Sequence, residues 1–158
     1  MGTLKQDIKE QSAWLVNAFG TDHIYLDYSI GSLIEIDRFF NKHSVNGKAV
    51  KGGHLSKSLG PVLFSIGAYV GDCLIVNATG AKWVTDDNDP EGELTVSVQF
   101  PGGGIVWPMH RVWKRFKNGS EDSVYVYGYE LTKDFTKEEF DNRYWKLKEK
   151  SGKWWKFW

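Results

Sequence analysis

Residues 59–116 decide the fold of this chain, because they read without a gap as a long apolar-striped helix, a small β meander and a second amphipathic helix. The segments run in the order Gly67-Ala68-Tyr69-Val70-Gly71-Asp72, Lys82-Trp83-Val84, Leu94-Thr95-Val96-Ser97-Val98-Gln99-Phe100, and Ile105-Val106-Trp107-Pro108 continuing into residues 109–117. That order specifies a fold more firmly than it specifies a chemistry.

The first of these helices is the clearest element, since its apolar residues follow the i, i+3, i+4, i+7 spacing over four turns. They are Leu59, Val62, Leu63, Ile66, Tyr69, Val70, Cys73 and Leu74. Gly67 and Gly71 lie one turn apart on it, and each costs about 1 kcal/mol relative to alanine in a helix interior. A closely packed neighbour would compensate, so we expect this helix to be central and Cys73 to be buried.

The meander is predicted from period-2 alternation, in which Leu94, Val96, Val98 and Phe100 point to one face. The run Gly102-Gly103-Gly104 leads into another strand rather than into a helix, which favours a hairpin turn over a phosphate-binding loop. We expect an antiparallel sheet near residues 82–84, 93–100 and 104–108.

Flanking helices complete the prediction. Residues 3–18 read as an amphipathic helix; Asp27 or Ser29 caps a second helix, and residues 41–53 follow it as a loop. Ser120 is expected to cap residues 124–129, and the capping box at residues 136–139 to open a C-terminal helix with Phe140, Tyr144 and Leu147 inward. The predicted class is α+β, a single domain of five or six helices around a three-stranded sheet.

Composition narrows the class of protein. A chain of 158 residues is the size of one domain, and its single cysteine fits a reducing compartment, so the cytoplasm is the expected location. Residues 1–22 lack the apolar run of a signal peptide. The net charge of zero argues against nucleic-acid binding. The charge is unevenly distributed along the chain. Residues 141–158 contain six Lys or Arg and two acids, so residues 1–140 carry a net charge of −4.

An acidic segment between the first two predicted strands is the leading candidate for partner binding. The candidate residues are Asp86, Asp87, Asp89, Glu91 and Glu93, together with Trp107. Residues 87, 89, 91 and 92 also mimic the start of a calcium loop, but its twelfth position falls on Val98, inside a predicted strand. A solvated acidic loop facing a basic partner is therefore favoured over a metal site.

A catalytic site is harder to find in this sequence. Asp37 and Asp72 sit at the edges of their apolar stripes, and two packed helices could pair them in a polar site of the kind that acid–base chemistry uses. Acidic residues at the edge of an apolar helix stripe more often form ion pairs with Arg or Lys than take part in catalysis. The four histidines have no metal-like spacing, and no cofactor motif is present, so we predict neither a metal nor a cofactor.

The C-terminal tail, residues 151–158, interleaves lysines with Trp154, Trp155, Phe157 and Trp158. Such a string suits a membrane interface or single-stranded nucleic acid. It also suits a tail that folds back onto the core, and this is what we expect. The next alternative is that the tail contacts a partner protein.

Part of the chain resembles a group of small uncharacterised bacterial proteins. The resemblance covers about residues 26–127 and is carried by Leu26-Asp27-Tyr28-Ser29, Ser32-Leu33, Asp37, Gly67-Ala68-Tyr69-Val70-Gly71-Asp72, Gly80, Trp83, Ile105-Val106-Trp107-Pro108, Arg111-Val112 and Phe116-Lys117-Asn118-Gly119. Such small proteins often look like immunity partners of bacterial toxins, which implies a non-catalytic protein that binds a cognate toxin. The alternatives are a small hydrolase or ligand-binding enzyme using Asp37 and Asp72, and a membrane-surface protein acting through its tail. The oligomeric state stays open.

Overall fold

A computed structural model describes residues 3–151, and its architecture is α+β, as predicted. The expectations for Trp154, Trp155, Phe157 and Trp158 lie outside the described residues. Within them the α-helices are α1 Leu4–Thr21, α2 Leu33–His43, α3 Leu59–Asn77, α4 Gly92–Thr95, α5 Pro108–Asn118, α6 Val124–Thr136 and α7 Arg143–Ser151. The strands are β1 Ser44–Val45, β2 Lys48–Ala49, β3 Lys82–Val84, β4 Ser97–Gln99 and β5 Ile105–Val106.

Helix α3 is the central element, as its stripe predicted. It packs against α1, α5 and α6. Gly67 and Gly71 each sit under a large neighbour: a Cβ on Gly67 would lie 2.8 Å from Met109 Sδ, and a Cβ on Gly71 would lie 2.0 Å from a ring carbon of Trp83. Glycine is used there because α5 and the sheet approach the helix too closely for any side chain.

By length and apolar composition alone, α3 could cross a membrane, and no other helix among residues 3–151 meets that test. In this fold the same apolar surface is mostly buried in the protein core. Cys73 is fully buried within α3, and burial raises the pKa of its thiol.

The three-stranded sheet has the order β3-β4-β5 and is antiparallel throughout. Trp83, Val98 and Val106 form one cross-strand row that faces the core. The strand prediction was wrong for its first residues, because residues 92–95 form the single turn α4 and Leu94 is 44% exposed. The Thr95 hydroxyl donates to Asp89 and the Val96 amide to the Gly92 carbonyl, and these local bonds close a helical turn before the strand starts.

A second small sheet occupies the region predicted to be a loop. Strands β1 and β2 pair antiparallel around Asn46 and Gly47, whose φ angles are 52° and 76°. Positive φ at both central residues defines the type I′ turn that Asn-Gly favours, so this hairpin had a readable sequence signal.

Helix α6 begins at Val124 as predicted, but the residue predicted to cap it and the predicted start of the last helix were wrong. Ser123, not Ser120, caps α6, and its hydroxyl accepts from the Val126 amide. Thr136 ends α6 instead of opening the next helix, because Lys137 adopts a left-handed conformation with φ 60°. Helix α7 then begins at Arg143, whose amide donates to the Asp141 carboxylate.

The core contains the residues expected from the stripes. Leu63, Ile66, Val70, Leu74, Val96 and Val98 are all at most 2% exposed. Trp113 is only partly buried, with its ring edge-on to Phe116. Tyr144 and Leu147 are buried as predicted, and Phe140 is partly buried.

Candidate protein-binding surface

The outward face of the three-stranded sheet carries three exposed apolar side chains. Val84 pairs with Ser97, and extending the β4–β5 register by one residue places Trp107 on the other side of Ser97. Val84, Trp107 and Ile105 are 42%, 45% and 46% exposed. Side chains opposite one another on a sheet face lie about 5 Å apart at Cβ, so these residues form one patch, which we call the outer sheet face.

The acidic loop, residues 85–96, emerges from the same end of the sheet. It starts after Val84 and returns at Ser97, the two residues of the row that contains Trp107. The loop that carries the five candidate carboxylates therefore begins and ends next to the row that contains Trp107. The Trp107 ring stacks near His110 at 6.4 Å between ring centroids.

Two of the five carboxylates organise the loop itself. Asp86 accepts a hydrogen bond from the Asn88 amide at 2.9 Å. Asp89 accepts from the Thr95 hydroxyl at 2.7 Å and from the Glu91 amide at 2.9 Å, and these two bonds lower the pKa of Asp89. Side chains that bond to nearby backbone amides restrict a loop to one conformation.

Asp87 ties the loop to α1. Its carboxylate accepts from the Leu4 amide at 2.8 Å, which is one of the unpaired donors of the first helical turn. A Cβ on Gly92 would lie 2.7 Å from a Leu4 methyl group, so the two segments also touch through apolar atoms. No sequence pattern predicts this bond, because residues 4 and 87 are far apart along the chain.

Glu91 and Glu93 are exposed, and among the described residues their carboxylates have neither an ion pair nor a hydrogen-bond partner. The described residues also contain no group of three or more His, Cys, Asp or Glu placed to hold a metal ion. Within the acidic loop, these two glutamates are the acids most available to another molecule.

Asp37 is a structural anchor rather than part of an open polar site. It is 1% exposed and accepts four hydrogen bonds: from Arg115 Nε at 2.8 Å, the Ser123 hydroxyl at 2.7 Å, and the Val124 and Tyr125 amides at 3.1 and 3.0 Å. This carboxylate joins α2, α5 and the start of α6.

Asp72 belongs to a different cluster. Its carboxylate accepts from Trp83 Nε1 at 2.9 Å, and burial raises its pKa above the ordinary value. Among residues 3–151 it shares no hydrogen-bond partner with Asp37. The polar site in which two packed helices could pair Asp37 with Asp72 is therefore not formed by their hydrogen bonds.

Asp72→Asn tests the electrostatic state of this cluster. Because the folded pKa is raised, the proton on Asp72 stabilises the folded state below pH 3.8, and that stabilisation is lost as the pH rises through the folded pKa. Asparagine keeps an acceptor for Trp83 and cannot ionise. We expect Asp72→Asn to be more stable than the wild type at pH 7 in urea denaturation, with the difference shrinking toward pH 4.

Asp72→Ala is the control, since it leaves the indole N–H of Trp83 without its acceptor and should destabilise the protein by about 1 kcal/mol. A wild type more stable than Asp72→Asn at pH 7 would contradict the raised pKa of Asp72.

A buried polar cluster near Asp72 was not foreseen. The Tyr69 hydroxyl accepts from the Tyr28 amide at 2.9 Å and lies 2.6 Å from the Ser32 hydroxyl. Tyr28 has a φ of 65°, and its own hydroxyl lies 3.2 Å from that of Ser12. Left-handed backbone at tyrosine is uncommon, and here the surrounding hydrogen bonds hold it.

The structure brings two of the histidines together. His43 and His54 have ring centroids 4.7 Å apart, and the His54 amide donates to His43 Nδ1 at 3.3 Å. Burial, followed by the neighbouring His54, lowers the pKa of His43. The pair secures residues 50–56 to the end of α2.

Two surface clefts adjoin Gly31. One, of about 420 Å³, lies between Tyr125, Tyr129 and Glu138; the other, of about 380 Å³, lies between Tyr25 and Arg143. Neither is lined by Asp37 or Asp72. These two clefts are therefore not sites built on those carboxylates.

Comparisons with protein-family models, with curated proteins and with solved structures find no match for this chain. The resemblance to small bacterial proteins therefore stays a prediction, and the functional argument rests on the chemistry of the surface.

Proposed function

We propose that this chain is a non-catalytic binding protein of the cytoplasm, of the immunity type, which neutralises a cognate toxin by covering part of its surface. The observation that carries the proposal is the outer sheet face, where Val84, Ile105 and Trp107 stay exposed beside a loop of carboxylates. Single exposed apolar residues are normal, whereas a contiguous patch with a polar rim is typical of protein interaction sites.

The composition of this patch supports binding rather than catalysis. Tryptophan supplies a large share of binding energy when it is buried at the centre of an interface. The surrounding acids supply rate and selectivity of association. The two acids that an enzyme would have used are committed to internal partners, Asp37 to Arg115 and Asp72 to Trp83.

The test is rescue of growth. Each protein encoded beside this gene is expressed in a laboratory host, with and without the chain, and colonies are counted. We expect one neighbour to be toxic alone and harmless with the wild type. Trp107→Ala should weaken binding by at least 2 kcal/mol, about 30-fold, and reduce rescue.

Trp14→Ala is the matched control, because Trp14 is 49% exposed on α1 and is not part of the outer sheet face. It should rescue like the wild type. If no neighbouring protein is toxic, or if the wild type never restores growth, the immunity function is rejected.

A further inference from the structure

We infer that the outer sheet face and the Glu91–Glu93 side of the acidic loop bind a basic protein segment that presents an apolar or aromatic side chain at its centre. This inference rests on the proposed function and specifies the chemistry of the partner. It is carried by the sheet register, the exposure of three apolar residues and the distribution of charge around them.

The apolar part of the partner is defined by the row Val84–Ser97–Trp107. Ser97 in the middle is 7% exposed, while Val84 and Trp107 on either side remain open. Ile105 extends the patch next to Gln99 along β5. A side chain such as leucine, phenylalanine or tryptophan would bury apolar area against all three exposed residues.

The basic part of the partner follows from charge complementarity. Residues 83–107 contain five carboxylates and no Lys or Arg, and one exposed cation, Lys82, lies at the far end of the outer sheet face, where it pairs with Gln99. The Asp86, Asp87 and Asp89 side chains hold the loop in place, so it needs little ordering when a partner arrives. Glu91 and Glu93 are exposed, and they are then the acids of the loop left free to contact Lys or Arg.

The same charge distribution argues against other occupants. A second copy of the chain docking through this face would place two acidic loops together, and like charges in contact cost several kcal/mol. An anionic membrane or a nucleic acid would be repelled for the same reason. A basic protein surface is the occupant that this face favours.

The experiment uses a random 12-residue peptide library displayed on phage and selected on the full chain. Enriched peptides should combine Lys or Arg with a large apolar residue. The best synthetic peptide is then titrated against Glu91→Lys/Glu93→Lys, which should lower affinity by about tenfold or more at 50 mM salt, chiefly by slowing association, with a smaller loss at 300 mM. Trp107→Ala should lower affinity at both salt concentrations.

Glu138→Lys/Glu139→Lys is the matched control, since these two exposed glutamates change net charge equally but lie between α6 and α7. The affinity of this control variant for the selected peptide should stay within about twofold of that of the wild type. Equal loss in both double variants, selected peptides without basic residues, unchanged affinity in Trp107→Ala, or a wild-type dimer that Trp107→Ala dissociates would each overturn the inference.

The two proposals fail separately. Full rescue from the toxic neighbour by Glu91→Lys/Glu93→Lys would overturn the inference and leave the immunity function standing. Absence of any rescue by the wild type would reject the immunity function, while the peptide titrations would still decide the chemistry of the surface. Unchanged circular dichroism and melting temperature in the variants establish that they fold.

Discussion

Asp37→Ala is expected to lower the free energy of unfolding by about 3–5 kcal/mol, because it leaves the guanidinium of Arg115 buried without its partner. Arg115 is 2% exposed, and without the Asp37 carboxylate its guanidinium would keep the Asp37 carbonyl and the Asn41 amide oxygen as neutral acceptors. The Ser123 hydroxyl and the Val124 and Tyr125 amides lose their acceptor at the same time. For a chain of this size the melting temperature should fall by roughly 6–20 °C in calorimetry.

The control for Asp37 lies on the same helix. Glu35 forms a more exposed ion pair with Arg38, and exposed pairs contribute about 0–1 kcal/mol, so Glu35→Ala should change stability little. Replacing Asp37 and Arg115 together by apolar residues of similar volume should destabilise less than Asp37→Ala alone. A loss below 1 kcal/mol in Asp37→Ala would show that the network does not anchor the fold.

Leu74→Ala is the second large effect, with an expected loss of about 2–5 kcal/mol in urea denaturation. Leu74 is fully buried in the cluster formed with Ala78, Ala81, Val98 and Phe100, where α3 lies under the sheet. Truncation would leave a cavity between rigid elements that cannot collapse onto it.

Val76→Ala is the neighbouring control, because Val76 is on the same helix and 66% exposed. Surface changes of this kind usually stay within about 0.5 kcal/mol. Equal losses at both positions would mean that burial under the sheet does not determine the effect of truncating a side chain on this helix.

Elements with many regularly spaced apolar residues were predicted well. Helix α3 was located correctly from its stripe, and the need of Gly67 and Gly71 for close neighbours was confirmed by Met109 and Trp83. Helix α5 was likewise found between Pro108 and Gly119. Over three or more turns, such spacing outweighs local exceptions.

Elements indicated by short sequence signals were predicted less reliably. The apolar alternation that begins at Leu94 predicted a strand, but local hydrogen bonds close a helical turn at residues 92–95. The capping box at Thr136 predicted the start of a helix, but α6 ends there because Lys137 is left-handed. Each signal involves only a few residues, so one competing hydrogen bond or backbone conformation is enough to change the outcome.

The sequence by itself determined the α+β class, the central helix, the sheet order near Trp83 and the presence of an acidic segment, because these depend on periodicity and composition within one stretch of chain. Only the tertiary structure decided the roles of the carboxylates: Asp37 meets Arg115, Asp87 meets the start of α1, and Glu91 and Glu93 stay in solvent. The physical reason is that an acidic side chain can cap a helix, pair with a cation or remain hydrated with nearly equal intrinsic preference. Which of these occurs depends on hydrogen-bond donors that folding brings from distant positions in the sequence.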